Sequence, residues 1–186
     1  MRAIRTDRLL LREPTMADLP AMVAVHTDPA ATVHEPEGPR TPEQCHVQLA
    51  NWVQRWAADG HCYWIIRTVD DGLVGFGGLG LCELDGTPYL NLYFRFPPSA
   101  WGRGYAAEMI TAALDLAAHR WPDLPVWIVT AAENDRALRI AEKFDFHPIP
   151  SPNPDDAFWV YRQWRGRGVD TSGATRSTSE SSTSSA

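Results

Sequence analysis

The sequence predicts an α/β (α+β) protein that is built on one mixed sheet. An antiparallel meander comes first in the chain, and the order strand, helix, strand, helix, strand follows it. The meander is indicated by three apolar runs separated by the Asp-Gly dipeptides at 71–72 and 85–86, which favour tight hairpins. The second part is indicated by the apolar run 126–131, which lies between two segments of helical periodicity. A strand-helix-strand order requires a parallel or mixed segment of sheet.

The first half begins with one short strand and two helices. Leu9-Leu10-Leu11 predicts the strand, and Thr15 with Asp18 resembles a capping box that begins the first helix. The second helix is predicted to begin at Thr41-Pro42, because Thr is a good N-cap, Pro suits the first turn and Gln44 completes a capping box. Its apolar stripe is expected at Val47, Ala50, Val53 and Ala57.

The remaining elements follow from apolar periodicity. Strands are predicted at 62–68, 73–81, 89–96, 126–131 and 158–164, and helices at about 102–121 and 134–144. The polar connection 29–40 is expected to shape a substrate entrance. We expect a single domain over residues 1–165. Eleven of the last sixteen residues are Ser or Thr, so a disordered tail is predicted at 166–186.

Composition excludes several classes of function. A formal net charge of -6 argues against nucleic acid as a partner, because binding to a phosphate backbone uses clustered Lys and Arg. The apolar runs are all far shorter than the roughly 20 residues that span a bilayer, so we expect a cytoplasmic protein without a membrane partner. Three widely spaced cysteines predict neither a disulfide framework nor a metal site.

The segment 94–108 carries the most information about function, because an aromatic strand ends in two glycines that are followed by a long helix. The backbone N–H groups of residues 102–106 are free to point at an anion, and the positive end of the helix dipole lies behind them. Gly102 and Gly104 let the main chain approach closely. The segment therefore predicts a site for a pyrophosphate group.

Two other glycine-motif interpretations are disfavoured. Residues 75–80 fit G-x-G-x-x-G, but they lie inside a predicted strand, which indicates a structural role. Residues 102–107 do follow a strand and begin a helix, yet the preceding meander and the single helix-strand unit that follows oppose a dinucleotide-binding Rossmann fold. A Walker A loop is excluded because no Lys-Ser or Lys-Thr follows the glycines.

Several motifs, in the right order, resemble the GNAT superfamily of acetyl-CoA-dependent N-acetyltransferases, and specifically its RimJ/RimL-like branch. Residues 6–12 resemble the first strand of that branch, and residues 101–106 match its version of the Q/R-x-x-G-x-G/A signature. Glu108 also fits. Asn134 and the run 143–146 resemble the Asn-x-x-Ser segment that ends in Gly-Phe. The resemblance covers nearly the whole folded region.

The resemblance implies a GNAT-like fold in which two central strands splay apart and acetyl-CoA is the co-substrate, with no metal. A primary amine of a protein N-terminus, peptide or small amino compound would attack the thioester directly, in a monomer or homodimer. Asn134 would face the cofactor, and the other cofactor-binding residues would be Phe94, Arg95 and Phe96 for the pantetheine arm and Trp101, Gly102, Arg103, Gly104, Tyr105 and Ala106 for the pyrophosphate.

The sequence departs from the family where proton transfer is expected. The frequent Ser is Ala137, the frequent Tyr is Ala141, and Asn91 replaces a carboxylate on the central strand. We predict Asn134 and Glu83 as catalytic residues. Other groups that titrate or donate a proton remain open as alternatives: Glu35, Glu133, His34, His61, Tyr93 and Tyr161.

The missing groups motivate a second hypothesis, a non-catalytic acyl-CoA-binding or regulatory domain on the same scaffold. A third hypothesis, a small nicotinamide oxidoreductase, depends only on the literal glycine match.

Overall fold

A computed structural model describes residues 3–84, 86–149 and 158–163 of the chain. The described residues form eight strands and four α-helices: β1 (Ala3–Arg5), β2 (Leu9–Arg12), α1 (Leu19–His26), α2 (Pro42–Asp59), β3 (Tyr63–Thr68), β4 (Leu73–Leu84), β5 (Thr87–Arg95), α3 (Tyr105–Arg120), β6 (Val126–Ala131), α4 (Asp135–Lys143), β7 (His147–Ile149) and β8 (Phe158–Gln163). The predicted tail at 166–186, residue 164 of the last predicted strand, Asp85 of the second hairpin and the side chain of Tyr161 lie outside what the structure describes. Among the described helices, none is both long and apolar enough to cross a bilayer.

All eight strands join one mixed sheet in the order β1-β2-β3-β4-β5-β6-β8-β7. Strands β3 to β5 pair antiparallel, as the predicted meander requires; β1 and β2 extend this antiparallel part, and β5 pairs parallel with β6. That parallel pairing involves only Leu90 with Val126 and Asn91 with Trp127. Beyond these two pairs, β5 and β6 separate and leave a gap in the middle of the sheet. The predicted α/β fold, with an antiparallel part followed by a mixed part of the sheet, is therefore confirmed.

The two faces of the sheet are covered by different helices. Leu90 and Leu92 of β5 belong to a core that includes Met109 and Ile110 of α3. Tyr93 packs instead against a second core built on α1 and α2. Because side chains alternate along a strand, Asn91, Tyr93 and Arg95 project towards the α1 and α2 side. This face of β5 carries its polar residues.

Both helix starts in the first half use the predicted caps. Asp18 accepts a hydrogen bond from the Thr15 backbone N–H at 2.7 Å, and a short 3-10 turn, Met16–Asp18, precedes α1. Thr41 accepts from the Gln44 backbone N–H, and Gln44 accepts from the Thr41 backbone N–H. These bonds satisfy donors that a helix start otherwise leaves unpaired.

The predicted apolar stripe of α2 is wrong. The buried face consists of Cys45, Leu49 and Trp52, with Trp56 partly buried behind them, whereas Val47 is 59% exposed. Ala50, Val53 and Ala57 each follow a residue of the buried face by one position, which rotates a side chain by about 100° away from it, and Val47, two positions from Cys45, is rotated by about 200°. The larger apolar area of Leu and Trp outweighs that of the small residues of the predicted stripe. Strands β1 and β7, of three residues each, were not predicted.

The glycines of β4 have a packing role, as predicted for residues 75–80. A Cβ at Gly78 would lie 2.8 Å from the ring of Trp64, and a Cβ at Gly80 would lie 2.6 Å from the Tyr63 hydroxyl. Two large side chains of β3 therefore lie directly on the β4 backbone. This close approach accounts for the glycines without a ligand.

Candidate functional site

The glycine loop before α3 presents a row of free backbone donors. Gly102 and Gly104 have left-handed backbones, with φ of 71° and 78°, which explains why glycine occupies both positions. Over the described part of the chain, the backbone N–H groups of residues 102–107 have no hydrogen-bond partner, and the first helical bond is donated by Glu108 to the Gly104 carbonyl. A row of free N–H groups at a helix start favours an anion.

This phosphate loop, residues 101–107, is held in place by the N-terminal segment. Glu108 accepts hydrogen bonds from the Thr6 hydroxyl at 2.5 Å and from the Arg8 backbone N–H at 2.8 Å. It also pairs with Arg8 Nε at 2.7 Å, while Arg8 Nη1 donates to the Arg103 carbonyl at 2.9 Å. Burial acts to raise the pKa of Glu108, but these donors outweigh it and leave that pKa below its ordinary value.

Basic side chains surround the loop. The Arg136 guanidinium stacks on the Trp101 ring at 3.6 Å, and Trp101 Nε1 donates to the Phe96 carbonyl at 2.8 Å. Arg136, Arg139 and Lys143 of α4 line the same cavity as the loop, which has a volume of about 520 Å³. The cavity therefore combines backbone donors with these three cationic side chains of α4 and with Arg95 of β5.

A second, smaller cavity of about 100 Å³ lies in the gap between β5 and β6. Its walls include Asn91 and Tyr93 of β5 and Ile128 and Thr130 of β6. Six residues line both cavities: His34, Glu35, Phe94, Arg95, Asn134 and Ala137. The gap in the sheet and the phosphate loop thus form parts of one continuous site.

Asn134 lies where the two cavities meet, but both of its side-chain groups already have partners. Oδ1 accepts from the Ala137 backbone N–H at 3.2 Å and caps α4, while Nδ2 donates to Thr130 Oγ1 at 3.0 Å. Asn134 therefore joins the end of β6 to the start of α4. These bonds indicate a structural role beside the predicted cofactor contact.

A buried polar group lies on the α1 and α2 side of β5. His26 Nδ1 donates to the Met22 carbonyl at 3.0 Å, which leaves Nε2 to accept from the Tyr93 hydroxyl at 2.8 Å. Burial and the charges of Arg95 and Arg40 lower the pKa of His26 to about 3, and burial raises the pKa of Tyr93 to about 12. Both groups are therefore neutral at pH 7.

Two further contacts complete this polar face. Arg95 pairs with Glu35 of the connection between α1 and α2. Asn91 Nδ2 donates to the Tyr63 hydroxyl at 2.7 Å, and burial raises the pKa of Tyr63 well above its usual range. These pairs bring together residues of β3, β5 and the connection 29–40, and the role of that connection as a substrate entrance stays a prediction.

Nine of the ten predicted cofactor-binding residues line the larger cavity: Phe94, Arg95, Phe96, Trp101, Gly102, Gly104, Tyr105, Ala106 and Asn134. Arg103 does not line it, since its carbonyl faces Arg8 instead.

The predicted catalytic carboxylate, Glu83, lies apart from the site. It is exposed and pairs in register with Pro88 near the β4–β5 hairpin, whereas the gap opens towards the other end of β5. Glu133 is also exposed, and His61 packs against Trp121. Glu35 is the candidate carboxylate that lines both cavities. The prediction for Glu83 is not supported, because a residue this close to the hairpin does not face the gap.

The sequence analysis missed the basic residues of α4 and the contribution of Arg8. Arg136, Arg139 and Lys143 follow Asn134 at helical spacing, so a helical projection from the predicted cap could have found them. Arg8 and Glu108 are 100 residues apart, and no local pattern joins them.

A splayed mixed sheet with a free row of N–H groups at the start of a long helix suits a ligand that carries a pyrophosphate and an extended arm. A family model described as acetyltransferase (GNAT) domain matches residues 8–147. The chain therefore belongs to the GNAT acetyltransferase family, and it is an enzyme of the acyltransferase class. The predicted family is confirmed. No curated protein sequence matches the chain significantly.

Solved structures share this fold. The acetyltransferase from Agrobacterium tumefaciens str. C58 is 24% identical, with a TM-score of 0.74 over 88% of this chain and 95% of that one. RimL, a ribosomal L7/L12 alpha-N-protein acetyltransferase in complex with coenzyme A, is 15% identical, with a TM-score of 0.67 over 87% and 97%. The spermidine N-acetyltransferase from Vibrio cholerae, in complex with CoA and spermine, is 18% identical, with a TM-score of 0.67 over 84% and 94%.

Proposed function

We propose that the protein is an acetyl-CoA-dependent N-acetyltransferase that acetylates a primary amine of a protein N-terminus, a peptide or a small amino compound. The observation that carries the proposal is the row of unpartnered N–H groups at residues 102–107, which lies beside a cavity that continues into the gap between β5 and β6. A pyrophosphate group needs such donors, and an extended arm needs such a gap.

The residues present fit coenzyme A. The phosphate loop would hold the pyrophosphate, and Arg136, Arg139 and Lys143 would neutralise phosphate charge. The β5 main chain beyond Asn91 has no partner on β6, so its backbone groups can bind the amide groups of the pantetheine arm. The thioester would then lie in the gap, close to Asn91 and Asn134.

In the proposed reaction, the neutral amine nitrogen forms a bond to the acetyl carbon and the bond between that carbon and sulfur breaks. From the neutral amine, the products are the amide and the free thiol of coenzyme A, because the proton that the nitrogen loses balances the proton that the departing thiolate gains. A substrate that arrives as an ammonium ion releases one further proton before it attacks. The chain contributes by positioning the amine and by receiving its proton. Glu35, which lines both cavities, is the carboxylate that we propose for this proton.

Titration calorimetry with coenzyme A tests the proposal, using a matched pair of variants. Gly102 and Gly86 both have left-handed backbones, with φ of 71° and 75°, and a Cβ at either position meets no atom within 4 Å. Gly102→Glu places a negative charge beside the free N–H row, whereas Gly86→Glu places it at the distant β4–β5 hairpin. We expect micromolar binding that Gly102→Glu weakens at least tenfold and that Gly86→Glu leaves unchanged. Absence of binding to the unmodified protein would refute the proposal.

The finer assignment to the RimJ/RimL-like branch, with a cytoplasmic location, belongs to the same proposal. The shared fold with RimL supports a protein N-terminus as the acceptor, and the shared fold with the spermidine enzyme supports a small amine. An amine panel that includes N-terminal peptides and spermidine would separate these acceptors.

A second candidate function is a non-catalytic acyl-CoA-binding domain. It is favoured by Ala137 and Ala141, which are buried and carry no hydroxyl for the departing thiolate. This candidate predicts cofactor binding without release of free thiol from acetyl-CoA. Turnover of any amine well above background would eliminate it.

A further inference from the structure

We infer that the acceptor carries a carboxylate close to its reacting amine and that the Arg95 side chain binds this carboxylate. The inference rests on the proposed function, and it narrows the acceptor to an amino acid or to a peptide with an acidic group near its N-terminus. Arg95 then acts as the residue that determines specificity.

The first observation is an incomplete set of hydrogen bonds at Arg95. Its side chain is only 9% exposed, and it pairs with Glu35 through Nη2. Its other terminal nitrogen, Nη1, is buried and makes no hydrogen bond of good geometry among the described residues, although the guanidinium lies beside Tyr93, with Cζ 5.8 Å from the ring centroid. A buried donor on a charged group that makes no hydrogen bond is destabilising. A ligand that supplies an acceptor atom there removes this penalty.

The second observation concerns Arg40, which lies at the end of the same connection as Glu35. Arg40 Nε is also buried and without a partner in the described structure. The Arg40 backbone N–H donates to the His26 carbonyl at 3.0 Å, and the Arg95 Cζ lies 5.8 Å from the centre of the Tyr93 ring, so both arginines lie near the buried His26–Tyr93 pair. Glu35 is the carboxylate paired with Arg95, and Glu37 on the same connection is exposed.

The charges of this group point to an anionic ligand. Arg95 and Arg40 each keep a buried nitrogen without a hydrogen-bond partner among the described residues, Glu35 is the carboxylate paired with Arg95, and His26 is neutral, so the group has an excess of free donors. A carboxylate would supply both the charge and two acceptor oxygens, in the planar geometry that a guanidinium matches best. A polyamine would add positive charge beside two guanidinium groups and is disfavoured there.

The position of Arg95 explains how it would select the acceptor. Arg95 is the last residue of β5 and lines both cavities, as does its partner Glu35. An amine directed into the gap between β5 and β6 would bring a neighbouring carboxylate to Arg95, and Glu35 would lie near the ammonium group. This pair of opposite charges matches the zwitterion of an amino acid.

The test measures thiol release from acetyl-CoA with acceptors that differ only in one carboxylate. One arm compares free amino acids with their amides, and the other compares Ser-Asp-amide with Ser-Asn-amide, so that the two sources of the carboxylate are distinguished. Spermidine is included as an acceptor without a carboxylate. The enzyme is compared with Arg95→Gln, with Arg95→Lys, and with Arg67→Gln, whose arginine pairs with Asp71 on the surface of β3.

We expect kcat/KM for the carboxylate acceptor to exceed that for its amide at least tenfold in one arm. Arg95→Gln should reduce this ratio to less than about twofold, Arg95→Lys should retain part of it, and Arg67→Gln should keep it. Three results would overturn the inference but leave the proposed function in place. They are equal kcat/KM for the acid and its amide, a higher kcat/KM for spermidine than for the carboxylate acceptor, and an unchanged ratio in Arg95→Gln. Coenzyme A titration of each variant shows whether it still folds and binds. Absence of both binding and turnover in the unmodified enzyme would overturn the proposed function as well.

Discussion

Arg8 and Glu108 are in contact through two hydrogen bonds, of 2.8 Å from the Arg8 backbone N–H and 2.7 Å from its Nε. Glu108 lies in the first turn of α3, directly behind the phosphate loop, and Arg8 lies just before β2. Arg8 also donates to the Arg103 carbonyl within the loop. The N-terminal segment therefore fixes the orientation of the carbonyl and N–H groups that would face a ligand.

Glu108→Gln should weaken coenzyme A binding without unfolding the protein. The substitution removes a charge-assisted contact, and since Arg8 is half exposed we expect a loss of about 1 kcal/mol of unfolding free energy. The Kd for coenzyme A should rise roughly three- to tenfold, because the loop loses its support. Calorimetric titration and thermal unfolding measure the two effects.

Asp18→Asn is the control, because the Arg12–Asp18 pair lies away from the loop. Equal effects of both variants on affinity would contradict the positioning role.

Arg136→Gln should reduce both the affinity for coenzyme A and the dependence of that affinity on salt. Arg136 stacks on Trp101 and lines the cavity, so its charge is available to a phosphate group. We expect Kd to rise about fivefold at low salt and less at high salt, where screening is stronger. The matched control is Arg120→Gln, because Arg120 stacks on Trp121 and binds the Gly60 carbonyl. If Arg120→Gln lowered the affinity for coenzyme A by a similar factor, the effect of Arg136→Gln would not be local to the cavity.

The buried His26 should make the protein less stable in mild acid. Its pKa is lowered to about 3 by burial first and then by Arg95 and Arg40, while an unfolded histidine titrates near 6.5. The unfolded chain therefore binds an additional proton below pH 6.5, and stability falls as pH decreases from 6.5 towards 3. Between pH 7 and pH 5 we expect a loss of about 2 kcal/mol.

Denaturant unfolding at pH 7 and pH 5 measures this loss. In His26→Gln the difference between the two pH values should shrink to well below about 1 kcal/mol, although the variant is less stable overall. His46→Gln, at an exposed position of α2, serves as the comparison. A full pH dependence that persists without His26 would assign it to other groups.

Asn134 can be tested as a helix cap against its predicted role in catalysis. Asp retains the acceptor for the Ala137 N–H, so Asn134→Asp should unfold with nearly unchanged free energy. Asn134→Ala should lose about 1 kcal/mol. If the residue acts mainly as a cap, thiol release by Asn134→Asp should remain within about threefold of the unmodified enzyme. A fall of a hundredfold or more in the Asp variant would instead support a catalytic role for the amide.

The phosphate loop was predictable from sequence because its signal is local. Gly102 and Gly104 need left-handed backbones, and the strand before them and the helix after them are contiguous in the chain. The caps of α1 and α2 are local in the same way, since each depends on residues three apart. The family could be named because several such local signals occur in order.

The acceptor side of the site could not be predicted in this way. Glu35 and Arg95 are 60 residues apart, and His26 and Tyr93 are 67 apart, so only the tertiary fold brings them together. The stripe of α2 failed for a related reason. Two alternative apolar faces exist on that helix, and the choice depends on what Trp52 packs against, which includes Tyr63, Phe76 and Tyr93.

The two halves of the sheet are joined by two residue pairs between β5 and β6, Leu90 with Val126 and Asn91 with Trp127. Leu90 and Val126 are buried under α3, and neither is among the residues that line the gap. A change of side-chain volume at these two pairs would alter the angle between the two halves of the sheet. The width of the gap between β5 and β6 would change with it. In the proposed reaction, the length of acyl group that fits would then be controlled from positions that do not line the gap.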